Sequence, residues 1–184
     1  WLRGLMPVVV IPLVTTLLVG SIMYMLLGRP LEALMHNLDH GLKSMSEGGG
    51  SVFLGIILGL MMCFDLGGPI NKSAYLFATA GLAAESTASY EIMAAVMAAG
   101  MVPPLALALA TAVRPRLFTS GEQENGRAAW LLGASFISEG AIPFAAAAPL
   151  RIIPATMVGG AVTGALTMLL HVGSRAPHGG IFVA

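Results

Sequence analysis

Three stretches of this chain contain no Asp, Glu, Lys or Arg: between Gly4 and Gly28, from Ile92 to Val113, and from Ile152 to Val172, where only the titratable His171 intervenes. Each is at least about the 20 residues that a helix needs to cross the hydrocarbon core of a bilayer. Buried strands typically run about 4–8 residues, so runs of this length exclude them. Pro7, Pro12, Pro103, Pro104 and Pro154 fall inside the runs, a placement tolerated in membrane helices and unusual in soluble ones. Charged residues make up 10% of the chain and mean hydropathy is +0.85, whereas soluble domains carry about 25% charge. Such a chain cannot cover its own surface with polar groups. The expected fold class is therefore all-α, a polytopic integral membrane protein with the lipid bilayer as its solvent.

Other classes drop out on charge and cysteine usage. A net charge of zero argues against strong electrostatic binding of nucleic acid. The lone Cys63 excludes a disulfide framework or a thiolate metal site, and neither a metal nor a cofactor is expected. Trp1 is not a start residue, and a new apolar segment opens at Ile181-Phe182-Val183-Ala184. The expectation is a fragment, with helices missing at both ends.

Between the long runs the pattern is interrupted. A first span, Leu5 to Leu27, stops at Gly28-Arg29-Pro30. From Pro30 to Met45, the residues Leu31, Leu34, Met35, Leu38, Leu42 and Met45 repeat at helical spacing. Glu32, His36, Asp39, His40 and Lys43 take the other face, as in an amphipathic helix lying in the membrane interface. His36 and His40 stand four apart, as metal ligands can, but with no third ligand nearby they read as part of that polar face. Glu47-Gly48-Gly49-Gly50 reads as a flexible break.

Val52–Phe64 is apolar but too short to span. It runs into Asp65-Leu66-Gly67-Gly68-Pro69-Ile70-Asn71-Lys72, and a second short apolar helix follows over about Ala74 to Ala84. The span Ile92–Val113 comes next, with a kink expected at Pro103-Pro104, and then a polar loop from Arg114 to Arg127. A short apolar piece, Ala128–Ile137, ends at Ser138-Glu139-Gly140-Ala141-Ile142-Pro143, before the chain enters the last long span. Short helix, polar break with Gly and Pro, then helix: the pattern occurs twice. Broken or re-entrant helical hairpins of this kind expose backbone donors and acceptors at membrane depth, where a polar substrate can use them.

The candidate site residues sit at these breaks. Glycines let the chain turn, and Pro69 suits the first turn of a new helix. Its positive end would point at a ligand beside Asn71 and Lys72. Asp65 has two readings: accepting hydrogen bonds from a substrate, or pairing with Lys72 in an ordinary interhelical turn. Glu139 is a single carboxylate in apolar surroundings. It suits two neighbouring sugar hydroxyls, or else bonds nearby helix-terminal amides. His178, in Ala176-Pro177-His178-Gly179-Gly180, lies in a further break. Arg151 either meets a phosphate or anchors a helix end. The methionine patches and Cys63 read as packing.

Four ordered motifs, FDLGGPINKSAY, AAVMAAGMVPPL, FISEGAIPFAA and RAPHGGIF, closely resemble the membrane-embedded IIC component of the fructose family of bacterial phosphotransferase-system permeases. The resemblance covers essentially the whole chain. It implies that residues 1–184 are part of a single IIC permease domain, a homodimeric, multi-pass protein of the bacterial cytoplasmic membrane. Such a permease passes fructose or a close relative to a cytoplasmic IIB domain, separate or fused, which phosphorylates it. The chain is then an enzyme only as the membrane subunit of that phosphotransferase, with no catalytic residue of its own. Glu139 corresponds to the glutamate of the family's E-G-A-I-P-F stretch and would orient the acceptor hydroxyl. The substrate-binding set is Glu139, Asn71, Lys72, Asp65 and His178. In one place the chain departs: an aspartate follows the alanine run in the family pattern, as in AADP, where this chain has Ala148-Pro149. An ion-coupled secondary sugar transporter without phosphotransfer explains the broken helices equally well, and only the motifs speak against it.

Overall fold

The computed structural model of the chain describes residues 6, 10–30, 32–33, 36–37, 40, 50–83 and 85–183. Every regular element among them is helical. The chain divides into two compact units, Trp1–Leu38 and Asp39–Ala184.

The first unit contains α1, Ile11–Ile22, which continues through a π-helical turn, Met23–Leu27. None of the residues of α1 is buried. Its exposed Ile11, Leu13, Leu17 and Leu18 need lipid or protein cover. Residues 1–5 and 7–9, and with them the start of the expected span at Leu5, lie outside the described residues. The expected surface helix, Pro30–Met45, is helical at residues 30, 32–33, 36–37 and 40. The rest of it, including Leu31, Leu34, Met35, Leu38, Asp39, Leu42, Lys43 and Met45, lies outside the described residues, as does the break at Glu47-Gly48-Gly49.

In the second unit, α2 (Ser51–Phe64), α3 (Pro69–Leu82) and α4 (Thr87–Val113) follow in order. A 3-10 turn at Pro115–Leu117 leads to α5, Ser120–Ala134. A second 3-10 turn, Ser138–Ala141, precedes the short α6, Ile142–Ala147, and the long α7, Pro149–Leu169. Among the described residues two helices, α4 and α7, are long and apolar enough to cross a membrane. The 27 residues of α4 extend about 40 Å, whereas the 14 of α2 and of α3 reach about 21 Å each.

Local chemistry sets the helix starts. Ser86 caps α4 by accepting from the Ser89 amide at 3.2 Å. Pro69 and Pro149 stand at the first turns of α3 and α7, where a missing N–H costs nothing. α5 corrects the sequence reading. The stretch from Arg114 to Arg127 was expected to be a polar loop, but its second half is helix. Thr119 and Glu122 form a reciprocal capping box there. The Thr119 amide and hydroxyl donate to Glu122 at 2.7 and 2.8 Å, which holds that carboxyl below its usual value. The helix assignment of α4 runs unbroken through Pro103 and Pro104, both fully buried.

Packing fixes the directions of these helices. Gly55 and Gly59 of α2 meet Gly164 and Gly160 of α7 so closely that a Cβ on any of them would run into the facing backbone or side chains. The pairing order makes the two helices antiparallel, with small residues letting the backbones approach as membrane helices do. In the same way Gly126 and Gly133 of α5 face Thr111 and Leu105 of α4, so α5 runs back along α4. One end of the unit gathers the start of α4 and the end of α7, where the Ser174 amide donates to the Tyr90 carbonyl at 2.9 Å. At the other end Phe118, Ile152 and Ile153 pack against the buried cluster that contains Phe144. α2 and α5 both stop against the middle of α4: Cys63 Sγ donates to the Ala99 carbonyl, and Phe136 and Met62 abut Gly100.

Candidate functional site

Because both breaks fall beside the middle of α4, they meet. Leu66 of the first shares a buried apolar cluster with Ala141, Phe144 and Ala145 of the second. Gly67 lies against the Glu139 carboxylate, and a Cβ there would sit 2.6 Å from Oε1. Its φ of +112° and the +48° of Leu66 fold the first break into a tight reversal.

That reversal brings Asp65 over the start of α3. Gly68, at the N-cap of α3, has no side chain with which to cap. Asp65 reaches over it and accepts from the amides of Ile70 at 2.7 Å and Asn71 at 3.0 Å. Both oxygens therefore serve donors at the positive end of the helix. Asn71 is 3% exposed, and its amide donates to the Met62 carbonyl at 2.7 Å. The residue bolts the start of α3 to the end of α2.

Lys72 then projects across the gap, with Nζ 3.5 Å from Glu139 Oε1. Both side chains are about half exposed (53% and 45%), so the pair is reachable rather than sealed. A cavity of about 80 Å³ opens around it, lined by Asn71, Lys72, Tyr75, Ser138, Glu139 and His178, with Met62, Phe136 and Ile137 behind. His178 presents its ring to Phe136 at 5.1 Å and edge-on to Tyr75 at 6.4 Å.

Four of the five expected site residues thus line one cavity, although they come from three separate segments of the chain. Asp65 does not line it, and its carboxylate is committed to the α3 cap. Tyr75 and Phe136 are the aromatic additions, beside Ser138, Met62 and Ile137. Tyr75 was within reach of sequence reasoning, since it stands one helical turn beyond Lys72 on the same face. Phe136 was not, because its ring enters through a left-handed backbone at φ +65°. Arg151 is exposed on the first turn of α7. Ala148 occupies the N-cap of α7 with no side-chain hydrogen bond, at a position where an aspartate would cap well.

Chemically, the cavity offers a carboxylate for hydroxyl donors, an ammonium for lone pairs and aromatic faces for C–H surface. These are the means by which a polyol is held in competition with water.

A family profile described as "Phosphotransferase system, EIIC" matches residues 3–159. The chain is 51% identical over 182 residues to the "PTS system fructose-specific EIIB'BC component" of Escherichia coli (strain K12), covering 99% of this chain and 32% of that protein. It is 54% identical to the protein of the same name from Rhodobacter capsulatus, covering 99% of this chain and 31% of that one. To the "PTS system fructose-specific EIIC component" of Haloferax volcanii it is 49% identical, covering 100% and 48%. The chain thus spans from about a third to about half the length of these relatives. No solved structure matches it.

Proposed function

The chain belongs to the phosphotransferase system EIIC family, and from that premise we propose that it is the sugar-handling part of a fructose permease. One observation carries the reading: in a chain of this family, the tips of two helix breaks bring Lys72 and Glu139 to one accessible cavity. Glu139, Asn71, Lys72 and His178 are the substrate-binding residues in this reading, and Asp65 contributes by fixing the start of α3. Fructose is favoured because the relatives carry it in their names.

In the same reading α2–α3 and α5–α6 are re-entrant hairpins that enter a cytoplasmic membrane from opposite sides, within a multi-pass protein. Their support is length and contact. α2 and α3 are each too short for a core about 30 Å thick, and both hairpins turn beside the middle of α4. Ionisable groups at that depth are costly and mark substrate paths. Exposed Arg114, Arg116, Arg127 and Arg151 gather at one end, which basic residues mark as the cytoplasmic side. A IIB domain would dock there, as the relatives' fused EIIB parts suggest. Homodimerisation follows from the family resemblance, and crosslinking in native membranes tests it.

Division of labour completes the proposal. Phosphoryl transfer needs an activated donor and an in-line hydroxyl. The IIB partner supplies the phosphoryl group, while this part holds the sugar and Glu139 orients the acceptor hydroxyl. The test is reconstitution of the complete membrane component with phosphoenolpyruvate and the general phosphotransfer proteins, with and without IIB. Fructose phosphate should form only with IIB. Its formation without IIB, or uptake of unmodified fructose against a gradient, would overturn the proposal, the latter in favour of ion coupling.

A further inference from the structure

His178 reaches the cavity on a segment with no regular secondary structure. From Leu170 to Gly179 the chain is turn, bend or irregular, and holding such a segment still costs conformational entropy at every residue. Four contacts tie residues 171–175 of it to α4, and these fall on two neighbouring residues in the first turns of that helix. His171 Nδ1 lies 3.0 Å from Glu91 Oε1. Gly173 packs against Tyr90, with room for a Cβ only 3.2 Å from the tyrosine's own. The Ser174 amide donates to the Tyr90 carbonyl at 2.9 Å. The Arg175 guanidinium lies over the Tyr90 ring, 5.4 Å from its centroid, within cation–π range. Glu91 is only 8% exposed, a buried carboxylate that helix packing alone does not require.

We infer that Tyr90 and Glu91 are positioning residues of the sugar site. They strap residues 171–175 to α4, and the strap delivers His178 to the cavity three residues further on. The contacts are remote from the cavity, so they act on affinity only through His178. The inference rests on the sugar-site reading above.

The experiment is binding of labelled fructose to the complete protein in membranes, as a double-mutant cycle. Arg175→Ala removes the cation–π contact from an exposed side chain and leaves the fold intact. Tyr90→Ala removes it from the other side, and Tyr90→Phe restores the ring. Arg175→Ala and Tyr90→Ala should each weaken binding about two- to fivefold, the size of effect a contact of this class supplies at an exposed site. Tyr90→Phe should stay within about twofold, and in a His178→Ala background Arg175→Ala should add almost nothing. If His178→Ala weakens binding while Arg175→Ala does not, or if the two losses add fully, the strap is refuted and the site reading stands. If His178→Ala leaves binding unchanged, His178 leaves the site and the strap falls with it.

Discussion

The two breaks look alike as sequence, each a carboxylate followed by glycine and then proline, yet their carboxylates have different duties. Asp65 is turned back onto the amides of Ile70 and Asn71, and Glu139 meets Lys72 across the cavity. The reversal at Leu66 and Gly67 carries Asp65 over the start of its own next helix. Glu139 instead sits inside a 3-10 turn, with its side chain facing the other break. A carboxylate in a helix break is free for a ligand only when the following helix does not consume it. The cost is visible at α6, the helix that follows, whose N-cap Ala141 makes no side-chain bond.

If that contrast is right, the glycines of the two breaks should tolerate substitution unequally. Gly67→Ala places a Cβ at φ +112° and against Glu139, a backbone region that costs about 1–3 kcal/mol for other residues. Gly140→Ala meets only Leu132 and Pro104 side chains at 3.1 Å or more and should cost less than about 1 kcal/mol. Thermal unfolding of the purified complete protein in detergent compares them, and equal losses would break the contrast. Asp65→Ala comes next, with an expected loss of about 1–2 kcal/mol as a helix cap is removed. A fully stable Asp65→Ala protein would mean that the aspartate is not the cap of α3. Ala148→Asp runs the comparison in reverse, and should raise stability by about 1 kcal/mol by capping α7. Lys72→Met should move stability least, by under about 1 kcal/mol, because its ion pair is half exposed. A larger drop would mean that the pair is structural.

Much of the architecture was legible because hydropathy is a long-range average. The runs Ile92–Val113 and Ile152–Val172 correspond to α4 and α7 within a few residues at each end. α5 was missed because its first half, Ser120–Arg127, is polar, although Thr119-Ser120-Gly121-Glu122 spells its capping box. The gathering of Asn71, Lys72 and Glu139 could be expected from chemistry, since polar and charged groups set amid apolar sequence seek partners. The capping of α3 by Asp65, which is neither of the two readings its sequence context suggests, could not, because it depends on left-handed backbone at Leu66 and Gly67 rather than on composition. Glu91 and His171, 80 residues apart, left no local trace at all.

The central claim is that Glu139 holds the sugar and Asp65 holds the helix. Equilibrium binding of labelled fructose to the complete protein, comparing Glu139→Gln with Asp65→Asn at a temperature where both remain folded, tests it most directly. Glu139→Gln should weaken binding about 10- to 150-fold, the loss of a hydrogen bond to a charged group, with little change in unfolding temperature. Asp65→Asn should show the opposite balance: a lower unfolding temperature, because an amide keeps only one of the two acceptor oxygens that cap α3, with binding within about threefold of the parent. Near-normal fructose binding by Glu139→Gln would contradict the account.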